Sequence, residues 1–365
     1  MDRKRFKVME EIKEKGFEKL LEIAKKAIEE SDLSKEELRY LLSLEEGEER
    51  RLLFKLANAF RHDYMGDMVF IKGVIEFSNY CKKNCAYCGI RASNKVNRYR
   101  MLPDEIISMA KNMAKLGVDT IILQSGEDPY YDLETLVYIV STIRSTTFVP
   151  VSLSIGELPK SAYLKLKHAG ASKVLLKHET INKKVFEAVH PDDDYDARVD
   201  LLDYIISIGY IGGSGNIIGL PGQTIEDIAD DILFMKRVGV KMIGLGPFVP
   251  AEGTPLQSFP HGDPELTLNT YAAIRLTMPR VFMPATTALG TIDEAKQFEA
   301  FNVGCNVVMC NFTPEKYRKD YMIYTGKAKV EFFQTARRLK EMGFKLSIKI
   351  LRELEKHEKG VMNRC

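Results

Sequence analysis

The sequence has little excess charge, no long apolar run and few cysteines. Its 365 residues include 53 lysines and arginines against 51 aspartates and glutamates, and no tryptophan. This balance of charge gives no basic surface for nucleic acid and no acidic tail typical of disorder. No run of about 18 apolar residues predicts a transmembrane helix. The charged first residues lack the apolar segment of a secretory signal, so we expect a cytoplasmic protein that binds neither nucleic acid nor membranes.

Six cysteines are too few for a disulfide framework in a chain of this length. Three of them form a CxxxCxxC motif at Cys81, Cys85 and Cys88. A structural zinc site normally needs four ligands, and no second pair lies near the motif. The other three cysteines follow more than two hundred residues later: Cys305, Cys310 and Cys365. Three thiolates on one short loop instead match a 4Fe–4S cluster whose fourth iron has no protein ligand.

An iron atom with an open coordination site can be chelated by a small molecule. In the radical S-adenosylmethionine (SAM) enzymes, which the motif resembles, that molecule is SAM, bound through its amino and carboxylate groups. Reduction of the cluster then cleaves SAM into methionine and a 5′-deoxyadenosyl radical. The motif therefore predicts a 4Fe–4S cluster and SAM as cofactors, in a cell with little oxygen.

The chain is predicted to begin with helices and to continue as βα units. Residues 1–66 have the apolar spacing of helices, and Ser34 with Glu37 forms a capping-box pattern. From Met68 onward, β-branched runs alternate with amphipathic stretches, which is typical of a parallel sheet. Eight strands are predicted: Met68–Phe77, Thr120–Gln124, Val149–Ile155, Lys173–His178, Tyr210–Ile218, Lys241–Gly246, Val281–Thr286 and Asn306–Cys310. Six helices are predicted among them: Asp104–Lys115, Leu133–Arg144, Lys160–Ala169, Arg198–Ile208, Ile225–Val238 and Leu266–Met278.

This pattern predicts an α/β protein with a complete (β/α)8 TIM-type barrel over residues 67–326. Residues 1–66 would form a helical cap, and residues 327–365 a helical tail packed on the barrel. Polar or glycine-rich residues follow every predicted strand, which is where such barrels carry their active sites. We therefore expect one axial cavity at the carboxyl ends of the strands.

Several residues after the strands are candidates for holding SAM, each with a plainer alternative. Residues 126–128 (Gly-Glu-Asp) can receive the ammonium group of SAM or form an ordinary turn. Glu179 can accept from ribose hydroxyls or remain a surface carboxylate. Arg198 can bind the methionine carboxylate or pair with the aspartates at 192–194. Residues 219–224 (Gly-Leu-Pro-Gly-Gln-Thr) can approach adenine closely or form a loop without a ligand.

The far wall of the cavity holds candidates for substrate contact. His178 is either catalytic or a hydrogen-bonded structural histidine. Lys177 and His178 are neighbours on the predicted strand and point to opposite faces of it. They cannot both face the cavity unless a bulge intervenes. Neutral donors suited to a polar substrate follow the later strands: Thr286, Thr287, Tyr321 and Tyr324.

The segment from Glu76 to Arg91 resembles the FeFe-hydrogenase maturase family HydE. Further similar segments follow in the same order at residues 98–101, 123–130, 177–180, 219–224, 246–250 and 284–291. The resemblance covers roughly residues 50–326 and implies a complete barrel with the cluster and SAM at its mouth. It implies that Cys81, Cys85 and Cys88 hold the cluster.

The resemblance also implies the remaining site residues. Cofactor contacts would come from Tyr87, Gln124, Ser125, Gly126, Glu127, Asp128, Ser154, Glu179, Arg198 and Leu220. Substrate contacts would come from Gln124, Lys177, Thr286, Thr287, Tyr321 and Tyr324. Beyond the cofactors, the candidates for catalytic groups are Lys177, His178 and Tyr324.

The family acts late in assembling the di-iron subcluster of the hydrogenase active site, on a small cysteine-bound iron carbonyl–cyanide species. There the adenosyl radical is thought to attack sulfur. By resemblance, this chain would act on a small amino-acid- or thiol-derived, iron-bound molecule. Its partners would be an external one-electron reductant of the ferredoxin or flavodoxin type and other hydrogenase maturases.

Two features depart from the family pattern. Many bacterial members carry arginine where this chain has Lys177, and the two side chains bind carboxylates differently. The second cluster motif of some members is missing after the barrel. Residues 252–256 resemble methylornithine synthase, whereas residues 284–287 fit the maturase better. The alternatives are therefore a radical enzyme of the methylornithine synthase or biotin synthase kind and, from another class, a non-catalytic iron–sulfur carrier or scaffold.

Overall fold

The computed structural model describes residues 3–362, so Cys365 lies outside the described residues. Four helices precede the first strand: α1 Arg3–Glu14, α2 Glu18–Ile28, α3 Lys35–Leu42 and α4 Glu48–Met65. The predicted capping box is confirmed, because the Ser34 hydroxyl accepts from the Glu37 amide and the Glu37 carboxylate accepts from the Ser34 amide. Over residues 3–362, no helix has both the length and the apolar character needed to cross a membrane.

The centre of the fold is a curled parallel sheet of the TIM type, covered by helices. The strands are β1 Phe70–Ser78, β2 Thr120–Ser125, β3 Val151–Ser154, β4 Ala171–Leu175, β5 Ile211–Ser214, β6 Ile217–Ile218, β7 Met242–Ile243, β8 Gly246–Pro247 and β9 Val307–Asn311. Among the described residues, seven strands form one sheet in the order β7-β5-β4-β3-β2-β1-β9, and β6 pairs with β8. The predicted α/β class and parallel sheet are confirmed.

The predicted strand Val281–Thr286 is not a strand in the structure. Its residues make isolated parallel bridges to both edges of the sheet, Met242 with Phe282 and Pro284 with Val307. Pro284 has no amide proton to donate, which prevents a continuous ladder here. The segment nevertheless lies between β7 and β9 in the eighth position of the ring, and the Ala285 amide donates to the Val307 carbonyl at 2.9 Å.

Two other predicted strands are each divided in two. Tyr210–Ile218 becomes β5 and β6, and Lys241–Gly246 becomes β7 and β8. The interruptions meet where Gly215 contacts Gly244 so closely that a Cβ on Gly215 would lie 2.2 Å from the Gly244 carbonyl oxygen. Only glycine permits this approach of two backbones.

Helices of varied length connect the strands on the outside of the sheet. They are α5 Pro103–Leu116, α6 Leu133–Thr147, α7 Lys160–His168, α8 Lys183–Val189, α9 Tyr195–Ser207, α10 Ile225–Val238, α11 Pro264–Thr277, α12 Thr287–Ile292, α13 Glu294–Val303 and α14 Glu315–Arg318. Each of the six predicted helices is present; Ile225–Val238 has the predicted ends and the other five have shifted ends, while the short α8, α12, α13 and α14 were not predicted.

The chain after the sheet ends in α15 Phe332–Glu341 and α16 Ile348–Met362. Lys345, between them, forms a parallel bridge with Met68 just before β1. The predicted boundaries between the helical cap, the barrel and the helical tail, after residues 66 and 326, stay predictions.

Lys72 is buried among the first residues of the strands, at the opposite end of the sheet from the cysteine motif. Its side chain lies against Met242, and the residue is 7% exposed. Burial, and then the charge of Lys173, lower the pKa of Lys72 to about 7. Because the unfolded chain has a lysine pKa of about 10.4, the unfolded state binds more protons between these values. Stability contributed by Lys72 is therefore complete above about pH 10 and is lost as the pH falls toward 7.

Lys72→Met is consequently expected to stabilise the cofactor-free protein at pH 7, and this advantage should shrink as the pH rises. The difference in free energy of unfolding from wild type should change by up to about 1.4 kcal/mol per pH unit. Urea unfolding of both proteins at pH 7 and 9 measures it. The exposed Lys111 on α5 provides the control substitution. A difference that is the same at both pH values would contradict the buried, neutral form of Lys72.

Candidate active site

The cysteine motif lies on the loop that follows β1, at the carboxyl ends of the parallel strands. Neighbouring segments hold this loop through the backbone: the Ala86 amide donates to the Val189 carbonyl at 2.7 Å, and the Gly89 amide donates to the Ile323 carbonyl at 2.8 Å. All three cysteines are free and partly exposed. The structure therefore brings Cys81, Cys85 and Cys88 together on one fixed loop.

The surroundings of the three thiols fit a cationic iron–sulfur centre. Burial, and then the charge of Cys81, raise the pKa of Cys88 to about 12, and burial also raises the pKa of Cys81 and Cys85. Thiols in such surroundings ionise when a metal supplies the compensating charge. The Cys81 sulfur already accepts backbone amides of Lys83 and Glu127 at 3.4 Å each, which suits a bound thiolate.

A cavity of about 290 Å³ opens beside this loop. Its walls come from the carboxyl ends of the strands and from residues after β9. Eight of the residues predicted for the site line it: Tyr87, Gln124, Ser154, Lys177, Glu179, Thr286, Thr287 and Tyr324. Cys88 lines it too, so the cavity reaches the cysteine loop. Tyr321 lies just behind, with its hydroxyl 3.4 Å from the Gln124 amide nitrogen.

Lys177 and Glu179 form an ion pair of 2.7 Å on the cavity wall. Glu179 has a positive φ of 65° and bridges to Asn216, so the chain changes direction here. Burial alone would raise the pKa of Glu179, but the charges of Lys177, His190 and Arg198 lower it below its ordinary value. The carboxylate therefore stays ionised and can accept hydrogen bonds from a ligand.

His178, one of the predicted candidates for a catalytic group, does not line the cavity. Its imidazole lies 2.9 Å from the Ser214 hydroxyl and 3.3 Å from the Asp231 carboxylate, and the residue is 1% exposed. Both residues follow β4, and there the Lys177 side chain lines the cavity while that of His178 points away from it. The alternative of a hydrogen-bonded structural histidine is the one observed.

Asp128 also lies outside the cavity, where it fastens the start of the cysteine loop. It accepts two hydrogen bonds from Arg100, at 2.7 and 2.9 Å, and one from Ser78 at 2.7 Å. The Arg100 guanidinium in turn lies 3.6 Å from the ring centre of Tyr80, next to Cys81. These hydrogen bonds occupy both carboxylate oxygens of Asp128, so its observed contacts are to the segment that leads into the cysteine loop.

The three residues before Asp128 do not line the cavity either, and their contacts are to neighbouring segments. The Ser125 hydroxyl donates to the Gly126 carbonyl. A Cβ on Gly126 would lie 2.2 Å from the Tyr80 carbonyl oxygen, so Gly126 allows β2 to approach the cysteine loop. The Glu127 carboxylate accepts from the Glu157 amide at 3.0 Å, beyond the cavity lining.

Arg198 and Leu220 likewise stand behind the cavity. Arg198 donates to the Lys177 carbonyl at 2.7 Å and to the Glu157 carboxylate at 2.6 Å, and it lies 3.8 Å from Asp193. The alternative pairing with the aspartates at 192–194 is thus partly observed. Leu220 packs in a small apolar group that includes Ala86 of the cysteine loop.

The sequence interpretation missed a polar group on the cavity wall. Glu76 accepts from Asn311 at 2.8 Å and forms an ion pair with Lys327, and all three residues line the cavity. Glu76 lies inside a strand and Lys327 lies after the predicted barrel. The one available signal was Glu76 itself, a charged residue within an apolar strand.

The remaining cysteines are remote from the loop. Cys305 and Cys310 are both fully buried, and Cys310 lies on β9 with its sulfur against Thr335 of α15.

Comparisons with known proteins agree with this geometry. The family model described as the radical SAM superfamily matches residues 75–235. The chain is 44% identical over 301 residues to the [FeFe] hydrogenase maturase subunit HydE of Thermotoga maritima, covering 82% of this chain and 86% of that one. It is 32% identical over 299 residues to 3-methylornithine synthase of Methanosarcina acetivorans, covering 81% of this chain and 85% of that one. A crystal structure of methylornithine synthase superposes with a TM-score of 0.81 at 29% identity, over 91% of this chain and 99% of that one.

Proposed function

Because the chain belongs to the radical SAM superfamily of enzymes, we propose that it cleaves SAM reductively and uses the radical on a small amino-acid- or thiol-derived, iron-bound molecule. We propose this reaction as a step in assembling the cofactor of an FeFe hydrogenase. The observation that carries the proposal is the CxxxCxxC loop, whose Cys88 borders the cavity. The similarity to a hydrogenase maturase over most of both chains supports the role in cofactor assembly.

Cys81, Cys85 and Cys88 would hold three irons of the 4Fe–4S cluster that this superfamily uses together with SAM. When bound, the cluster passes one electron from a ferredoxin- or flavodoxin-type reductant to SAM, which yields methionine and the 5′-deoxyadenosyl radical. Amides from residues 83 and 127 would stabilise the Cys81 thiolate. The Arg100–Asp128 pair would keep the start of the loop against β2.

SAM would occupy the end of the cavity next to the cysteine loop. Tyr87, Gln124, Ser154 and Glu179 are the residues that this position favours as direct contacts. Glu179 is kept ionised by its cationic neighbours, so it would accept from the ribose hydroxyls or the ammonium group. Arg198 would act indirectly, by fixing the backbone at Lys177 through its carbonyl group.

The substrate would occupy the other end of the cavity. Lys177, Thr286, Thr287 and Tyr324 offer one cation and three hydroxyls there, and the Glu76–Lys327 pair adds charges of both signs. Burial, and then the charge of Glu76, raise the pKa of Tyr324, so its phenol keeps its proton and can donate. A volume of about 290 Å³ suits a small molecule.

A second candidate is an isomerisation of a free amino acid. It is favoured by the 32% identity to 3-methylornithine synthase and by the superposition on a methylornithine synthase structure. The same cofactor residues would serve both reactions, and the difference would lie in the substrate end of the cavity.

An anaerobic assay tests both candidates. The reconstituted protein, given dithionite and SAM, is expected to release 5′-deoxyadenosine and methionine in equal amounts. With lysine as substrate we expect no methylornithine by mass spectrometry, whereas a cysteine-bound iron carbonyl–cyanide complex should be consumed. Conversion of lysine would favour the second candidate, and absence of SAM cleavage would contradict both.

A further inference from the structure

A buried histidine lies directly beneath the cysteine loop. His190 follows α8, is 3% exposed, and places its Nδ1 atom 3.4 Å from the Cys85 sulfur and 2.8 Å from the Asp193 carboxylate. Its other ring nitrogen lies 2.8 Å from the Tyr87 hydroxyl. One imidazole therefore contacts a cysteine of the motif and a residue that lines the cavity.

The partners of His190 fix the position of its proton. Asp193 forms an ion pair with Lys83, so its carboxylate is ionised and only accepts hydrogen bonds. The nitrogen facing it, Nδ1, must therefore carry hydrogen. The second nitrogen shares a hydrogen bond of 2.8 Å with the Tyr87 hydroxyl. The Nδ1–H group points toward two acceptors, the Asp193 oxygen and the Cys85 sulfur.

The ring has little freedom to turn away from this arrangement. Phe186 stacks on it with ring centres 4.6 Å apart and an angle of 6° between the planes, and Tyr87 packs against its edge. The Val189 carbonyl, next to His190 in the chain, accepts the amide of Ala86 in the cysteine loop at 2.7 Å. A backbone hydrogen bond thus ties the segment that carries the histidine to the loop.

We propose that His190 is a positioning residue that donates a hydrogen bond to the Cys85 sulfur and so raises the reduction potential of the iron–sulfur cluster. This inference rests on the proposed function. A reduced cluster carries one more negative charge, and a donor directed at a ligand sulfur stabilises that charge. The Asp193 carboxylate, which lies within 4.8 Å of the Cys85 sulfur, would disfavour the same charge, and His190 offsets it by donating to both groups.

The reduction potential of the reconstituted cluster tests the proposal. In His190→Ala, the donor is lost and Asp193 is uncovered. At one fixed solution potential, the ratio of reduced to oxidised cluster should fall about tenfold, which is 59 mV for a one-electron couple. His190→Asn keeps an N–H near the Nδ1 position and should recover most of this loss. Asp193→Asn removes the opposing charge and should shift the ratio in the other direction.

Redox titration followed by electron paramagnetic resonance measures these ratios, and iron analysis confirms that each variant holds its cluster. Equal potentials for intact wild type and His190→Ala would overturn the proposal. If His190→Ala loses its cluster, the potentials of His190→Asn and Asp193→Asn test the proposal instead. Potentials equal to that of wild type in both variants would likewise overturn it. A single zinc ion held by Cys85, His190 and Asp193 would overturn it too, since these atoms lie within 4.8 Å of one another. The proposed function fails separately, if wild type forms no 4Fe–4S signal or cleaves no SAM.

Discussion

Cys85→Ala is expected to bind no complete cluster and to release 5′-deoxyadenosine at least roughly 1000-fold more slowly than wild type. The three thiolates act as a unit, so loss of one removes the function of all. Cys85 lies in the middle of the loop and no other cysteine of the described chain lies near enough to replace it. Iron analysis and chromatographic assay of 5′-deoxyadenosine after anaerobic reconstitution measure both effects.

Cys310→Ala is the matched control. It removes a buried thiol from β9, outside the loop, and should lower the thermal midpoint slightly while about four irons per chain remain. SAM cleavage at the wild-type rate by Cys85→Ala would show that the ligands have been assigned wrongly.

Gly126→Ala is expected to disrupt the site from the other side of the loop. The added methyl group would lie 2.2 Å from the Tyr80 carbonyl oxygen and 2.7 Å from the Cys81 Cβ, so one backbone segment must move. We expect the iron content to fall by at least about half and the stability by about 1–3 kcal/mol. Iron analysis, isothermal titration with SAM and thermal unfolding measure the effects.

Gly360→Ala provides the comparison for Gly126. Gly360 lies in α16 with no atom within 4 Å of the added Cβ, so alanine should stabilise the protein by about 0.5–1 kcal/mol and leave iron binding unchanged. A Gly126→Ala protein with full iron content and unchanged affinity for SAM would contradict the close approach of β2 to the cysteine loop.

The sequence predicted the features that depend on local spacing. The spacing of the CxxxCxxC motif places three thiols on one loop independently of the rest of the fold. The alternation of predicted strands and helices indicates a parallel sheet. The alternation expected of a strand predicted that Lys177 and His178 would not both face the cavity, and in the structure only Lys177 lines it. The strand predicted at Val281–Thr286 failed because Pro284 removes a ladder hydrogen bond in a segment otherwise rich in strand formers.

Contacts between residues far apart in the sequence could not be predicted from local spacing. Gly-Glu-Asp at 126–128 occupies the predicted position after β2. The Asp128 carboxylate, however, accepts hydrogen bonds from Arg100, and the Glu127 carboxylate accepts one from the Glu157 backbone amide. Lys327 reaches Glu76 from 251 residues away, after the segment expected to close the barrel. His190 lies in a loop with no motif of its own, and only folding brings it to Cys85. Pairs of this kind are set by the packing of whole elements.

The central claim is that three cysteines of one loop present an iron–sulfur cluster with a free coordination site to SAM. The most direct measurement is the electron paramagnetic resonance spectrum of the reduced, anaerobically reconstituted protein, recorded with and without SAM. We predict the signal of a one-electron-reduced 4Fe–4S cluster whose shape changes when SAM is added. A spectrum that SAM leaves unaltered, or a protein that contains zinc in place of iron, would contradict it.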